Sequence, residues 1–224
     1  IAICRRAIAE DERNGRAYEL LADVYGQRGD HAAALPLLRK AVEIQPKLTR
    51  SKNNLAASLI ASGEVREGER LLQEILTQYP KFPNASFHLA LLREAQGRPA
   101  DARAAYETEL RNHPDSVVAR FNLGELLLRM NDVRGAEEHM RTLVQQKSEN
   151  ARPYLMLARI LMDRPGQLAE VERLANEGLS RATEPDLKAL GYFLLADVYS
   201  RAGRRSELQD ALRKGQHYRA QIRS

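Results

Sequence analysis

Five histidines, one cysteine and one glycine-spaced segment are the places in this 224-residue sequence where residue type could support chemistry. The histidines are His31, His88, His113, His139 and His217, and no two stand four residues apart. Paired metal ligands on one helix face need that spacing, so no metal site is expected. Cys4 is the only cysteine, which excludes an intramolecular disulfide and a cysteine metal cluster. It falls at a packing position and reads as a buried, inert thiol. Gly63-Glu64-Val65-Arg66-Glu67-Gly68 has the glycine spacing of a phosphate-cradling loop, but Glu69-Arg70 follow it. Such a loop needs Lys and Ser/Thr there to reach the phosphates and their metal. There is no G-x-S-x-G elbow to present a nucleophile. The reading is a protein without catalytic residues, metal or cofactor, and not an enzyme.

The elements that carry these residues are helical. Ala, Leu, Arg and Glu dominate, and all four are good helix formers. With 43% hydrophobic and 29% charged residues, the composition is that of a folded domain. No run approaches the roughly 18 apolar residues that span a bilayer, so no membrane insertion is expected. The chain opens on Ile1 without a Met or a signal-peptide pattern. It reads as a fragment, which leaves room for a lost signal or further repeats. The lone cysteine favours the cytoplasm. A net charge of +5 from 35 cations and 30 anions is too small to argue for nucleic acid.

Self-similarity is the main signal. Ala22, Ala56, Ala90, Gly124 and Ala158 follow one another at 34 residues, each preceded by Leu. Seven residues on stand Gly29, Gly63, Gly97, Asn131 and Pro165, which are turn formers. Twelve residues on stand Ala34, Gly68, Ala102 and Ala136, small again. Pro46, Pro80 and Pro114 close three units, because proline cannot continue a helix. Each unit is therefore two amphipathic helices joined by a short turn, with small residues where the helices cross. One hairpin cannot bury its apolar face alone, so neighbours must stack.

These residues resemble the tetratricopeptide repeat family. In the first full unit the pattern is Tyr18, Leu21-Ala22, Tyr25, Gly29, Ala34, Leu38, Ala41 and Pro46. The resemblance covers nearly the whole chain and implies an all-α, right-handed superhelical solenoid of antiparallel helix pairs. The expected domain is single, 1–224. Residues 1–14 are the second helix of a truncated repeat, and full repeats run 15–48, 49–82, 83–116, 117–150, 151–188 and 189–224. Ala158 to Ala196 is 38 residues, four beyond the period. One extra residue is placed in the turn at 163–166 and three in a loop at 183–186. The third repeat has Arg93 where Tyr is usual and Glu109 where Ala is usual. Looser packing, or a solvent-pointing Glu109, is expected there.

The resemblance also implies that first helices line a concave, peptide-binding groove. Its positions here include Asn54, Phe87, His88, Leu91, Phe121, Asn122, Glu125, Arg129, Leu155, Arg159 and Phe193. Phe87, Phe121, Leu155 and Phe193 recur as a row of large apolar residues. They either form an exposed patch, which monomers rarely show without use, or fold back into the hairpins. Asn54, His88 and Asn122 recur in register. They either hold the amides of an extended peptide or bond neighbouring helices. Glu19 and Asp23 stand where a carboxylate-clamping relative would need cations and Asn, which argues against a chaperone-tail receptor.

The leading reading is a protein-interaction scaffold that takes a protein or peptide partner. The alternative is a substrate-recruiting arm of a larger enzyme of the glycosyltransferase or sulfatase type. RNA binding comes third. The tail has Arg201, Arg204, Arg205, Arg213, Lys214, Arg219 and Arg223, but no aromatic interleaving for base stacking. Self-association through the uncapped first half-repeat, with Ile1, Ile3 and Ile8, is a further expectation.

Overall fold

The computed structural model describes residues 1–222, and its elements are thirteen α-helices; Arg223 and Ser224, which include one cation of the basic tail, lie outside the described residues. The chain divides into two compact units, Ile1–Ser116 and Val117–Ser224. The first holds α1 (Ala2–Glu10), α2 (Gly15–Gln27), α3 (His31–Ile44), α4 (Thr49–Ala61), α5 (Val65–Gln78), α6 (Ala85–Ala95) and α7 (Pro99–Asn112). The second holds α8 (Val117–Arg129), α9 (Val133–Gln145), α10 (Ala151–Leu161), α11 (Leu168–Arg181), α12 (Pro185–Arg201) and α13 (Arg205–Gln221). In each unit consecutive helices pair as hairpins, α2 with α3 through to α12 with α13, and each hairpin packs on the next.

The turns follow from their residues. Gly29, Gly63 and Gly97 take positive φ, the left-handed region that ends a helix cheaply without a Cβ. The following amide then reaches back five residues, as Asp30 N–H does to the Tyr25 carbonyl at 3.0 Å. The Asp30 carboxylate in turn accepts from Ala33 N–H at 3.0 Å and caps α3. One three-residue turn thus closes one helix and opens the next. Asn131 takes the left-handed position in the fourth hairpin, and Asp132 caps α9 on Gly135 N–H.

The small residues sit at the helix crossings. Ala22, Ala34, Ala56, Ala90, Ala102, Ala136 and Ala158 are buried, as are Gly68 and Gly124. Closeness is the reason: a Cβ on Gly68 would lie 2.9 Å from the Ala56 carbonyl oxygen. The first unit's core gathers Leu38, Leu55, Leu59, Leu72 and Ile75. The second unit's core gathers Tyr154, Leu155, Leu157, Val171 and Leu174. Arginines on the second helices link successive hairpins. Arg39 pairs with Glu64 and Glu67 at 2.7 and 2.9 Å, and Arg141 with Glu137 and Glu170 at 2.9 and 2.8 Å.

Several local expectations are corrected. In the fifth turn Pro165 lies within the turn, as expected, and the left-handed residue is Gly166, φ 76°. It stands one place later, as one added turn residue requires. The three further residues do not loop out. Pro185 and Asp186 already belong to α12, which runs 17 residues against 11–13 in the earlier first helices. The addition is a helical turn, with proline at the first position where its missing N–H costs nothing.

Glu109 does not point to solvent: it is 1% exposed. It accepts from Asn84 N–H at 2.8 Å and Phe87 N–H at 3.3 Å, at the start of α6. Its carboxylate supplies acceptors to a helix end whose first amides have no intrahelical partner. Arg93 pairs with Glu69 at 2.7 Å, across to α5. Cys4 is only half-buried, since α1 contains no buried residue.

Candidate peptide-binding groove

Each expected groove residue lies on a first helix, at a place set by its own neighbours. In the first unit, α4 brings Asn54 within reach of α2, and its amide donates to Asp23 Oδ1 at 2.7 Å. Arg50 pairs with the same carboxylate at 2.7 Å. His88 Nδ1 lies 3.2 Å from Asn53 Oδ1, and burial pushes its imidazole down to about 4. The Phe87 ring turns into its own hairpin, 5.9 Å from the ring of Tyr106 on α7. Leu91 is 37% exposed. Asn54 and His88 thus bond neighbouring helices, the structural alternative named for them above.

In the second unit, Asn122 donates to the Val118 carbonyl of its own helix at 2.8 Å. Leu155 is fully buried, with its tip against Gly178 and Gly191. Phe193 packs on Gly215 of α13, where an added Cβ would meet the ring at 2.9 Å. Phe121 is 8% exposed and belongs to the core. The row of large apolar residues therefore leans inward, and little of it meets water. Arg129 and Arg159 are exposed.

What the second unit does present is a cavity of about 320 Å³ on its first helices. α8 contributes Phe121 and Glu125, and α10 contributes Arg152, Leu155, Met156 and Arg159. The wall from α12 is Asp186, Leu187 and Leu190, the first two from the added turn. A second cavity of about 400 Å³ shares Phe121, Glu125 and Arg152 and is otherwise polar, with Asn122, Glu149, Arg181 and Glu184. Burial pushes the Glu125 carboxyl up, while the guanidiniums of Arg152 and Arg159 pull it back down. Four expected residues, Phe121, Glu125, Leu155 and Arg159, meet in the smaller cavity. Sequence reasoning missed Arg152, Asp186, Leu187 and Leu190; the signal that could have found the middle two was the 38-residue spacing.

The basic tail is largely neutralised. Arg201 pairs with Asp163 at 2.7 Å, Arg204 with Glu172 at 2.8 Å, and Arg213 and Lys214 with Asp210 at 2.7 and 2.6 Å. No helix is long and apolar enough to cross a membrane among the described residues.

Hairpins of this length, with buried small residues at their crossings and left-handed turns between helices, define a helical-repeat protein. Tetratricopeptide repeat models match residues 15–48, 53–117 and 90–151, and the chain belongs to that family. It is 27% identical over 131 residues to mouse protein O-mannosyl-transferase TMTC1, covering 55% of this chain and 14% of that protein. It is 26% identical over 165 residues to the type IV pilus assembly protein PilF of Pseudomonas aeruginosa, covering 71% and 66%. The chain thus spans about a seventh of the first relative and about two thirds of the second. The solved structure of PilF superposes with a TM-score of 0.75 at 18% identity, covering 91% of this chain and 90% of that one. That of PilW, a type IV pilus biogenesis factor, superposes with a TM-score of 0.67 at 18% identity, covering 88% and 90%. Both share the fold.

Proposed function

We propose that the chain is a non-catalytic interaction module that holds a segment of a protein partner against α8, α10 and α12. The observation that carries this reading is the 320 Å³ cavity, in which an apolar floor meets charged groups from three helices, half-buried Glu125 and exposed Arg152, Arg159 and Asp186. Ligand sites pair a mostly apolar lining with a few placed polar groups, and the family relationship supports a protein as ligand. The likeness to PilF supports a partner within a protein assembly. Photo-crosslinking tests the reading. A benzophenone side chain replaces half-buried Met156 in the groove or exposed Arg173 on α11. A partner captured from Met156 and not from Arg173 is the expected result; capture from Arg173 alone overturns it.

The match to TMTC1 favours a second reading, in which the repeats are the recruiting arm of a larger glycosyl-transfer enzyme. The length of the encoding reading frame tests it. A further domain of several hundred residues is expected on that reading, and its absence removes it.

A further inference from the structure

The departure from the 34-residue period and the cavity share residues. The added turn that opens α12 supplies Asp186 and Leu187 to the wall facing α10. An array continuing at 34 residues would lack this turn, and the cavity would stand open on that side. The insertion therefore builds a binding feature confined to this hairpin.

The charges around it are uneven. On α10, Arg152 and Arg159 are exposed and close no ion pair within 4 Å among the described residues. Arg141, Arg164, Arg201 and Arg204 of the same unit each close one. Along α10, two turns of helix, about 10 Å of rise, separate the backbone positions of the two residues. One carboxylate, Glu125, faces both of them and is shared between them. Within the cavity lining, Glu125, Arg152 and Arg159 leave the α8–α10 wall one positive charge in excess, and Glu184 of the adjoining cavity also acts on Arg152. The exposed carboxylate of Asp186 stands on the opposite wall, at the start of α12.

We infer that the cavity takes an extended segment in which one large aliphatic side chain is followed by a carboxylate-bearing residue. The aliphatic group fills the floor over Leu155, Met156 and Leu190. The carboxylate lies against Arg152 and Arg159 and balances the excess charge. Asp186 fixes the direction, since it repels a carboxylate placed on the α12 side. A basic segment is disfavoured by the same two arginines. This inference rests on the groove reading above and narrows it to one ligand chemistry.

Three capped peptides test it: acetyl-Gly-Ser-Leu-Asp-Ser-Gly-amide and its forms with Asn or Lys in place of Asp. Each is titrated to millimolar concentration into the isotope-labelled 224-residue chain, and amide shifts are followed. The Asp peptide is expected to shift resonances of α8, α10 and α12 around the cavity, and to bind about threefold to fivefold tighter than the Asn peptide. The Lys peptide is expected to be weakest. In Arg152→Gln/Arg159→Gln, shown by circular dichroism to be folded, the Asp and Asn peptides should become equal. Asp186→Asn should leave the preference in place. Shifts at the cavity with equal affinity for Asp and Asn overturn the inference and leave the groove reading standing. Shifts confined to other helices overturn both. A preference that survives the double substitution overturns the role of the arginines. If no resonance moves, the inference falls, and crosslinking at Met156 separately decides the groove reading.

Discussion

Replacing Glu109 by alanine restores the residue usual at its repeat position, and substitutions toward a family's common residue tend to stabilise. The structure predicts the opposite. The Glu109 carboxylate accepts two backbone amides at the start of α6, at 2.8 and 3.3 Å, and is 1% exposed. Hydrogen bonds to a charged group contribute about 1.5–3 kcal/mol each. The 3.3 Å bond falls at the weak end, and the amide of exposed Asn84 can rehydrate once the carboxylate is gone. The net loss in Glu109→Ala is therefore about 2–3 kcal/mol. With a urea slope of about 2–3 kcal/mol per molar, the midpoint falls by about 1 M. Glu109→Gln keeps one acceptor but turns an NH2 toward a donor, so an intermediate loss is expected. The assay is urea unfolding followed by circular dichroism, with the slope compared between variants. An alanine variant as stable as wild type, or more so, refutes the capping role.

Gly68→Ala should destabilise by about 1–3 kcal/mol in thermal melts, because its Cβ would meet the fixed Ala56 carbonyl at 2.9 Å as well as Ile60. Gly124→Ala should lose less, since the atom in the way is the flexible end of Met140. Arg141→Gln breaks links to Glu137 and Glu170 in a half-exposed setting; a loss of about 0.5–1 kcal/mol is expected at low salt, shrinking in 0.5 M NaCl as screening grows. His88 gives a pH signature. Burial holds its folded value at about 4, below the unfolded 6.5, so the unfolded chain binds the extra proton between those values. Stability should fall as pH drops from about 6.5 to 4, by about 1–3 kcal/mol, and His88→Gln should flatten that part of the profile in urea midpoints measured against pH.

The crossings were legible because only a small residue lets two backbones approach. Repetition of Ala22, Ala56 and Ala90 therefore reports geometry directly. The turns were legible for a similar reason, with Gly or Asn where φ must be positive. Glu109 was not legible. Its role depends on where the start of α6 lies against α7, and no local pattern encodes that distance. The 38-residue spacing announced four extra residues without saying whether they loop or continue a helix. Proline at the first helical turn permits the latter, and burial of Leu187 accompanies it. Among the groove residues, periodicity assigned Phe87 and Phe193 to a helix face but not to a rotamer. The Tyr106 ring and the gap over Gly215 decided that each turns inward.

The fully buried tyrosines give the molecule a built-in optical reporter. The sequence contains no tryptophan, so tyrosine emission is not masked by energy transfer to an indole. Tyr106 lies in the first unit and Tyr154 in the second, both at 0% exposure. Rigidly held rings dominate near-ultraviolet circular dichroism, and two such rings divided between two units label each separately. Removing one ring by Tyr106→Leu leaves the dichroic band of Tyr154 together with that of the stacked Tyr192–Tyr218 pair of the second unit. The unfolding of each half of the chain can then be followed by its own chromophore, without dye, tag or truncation.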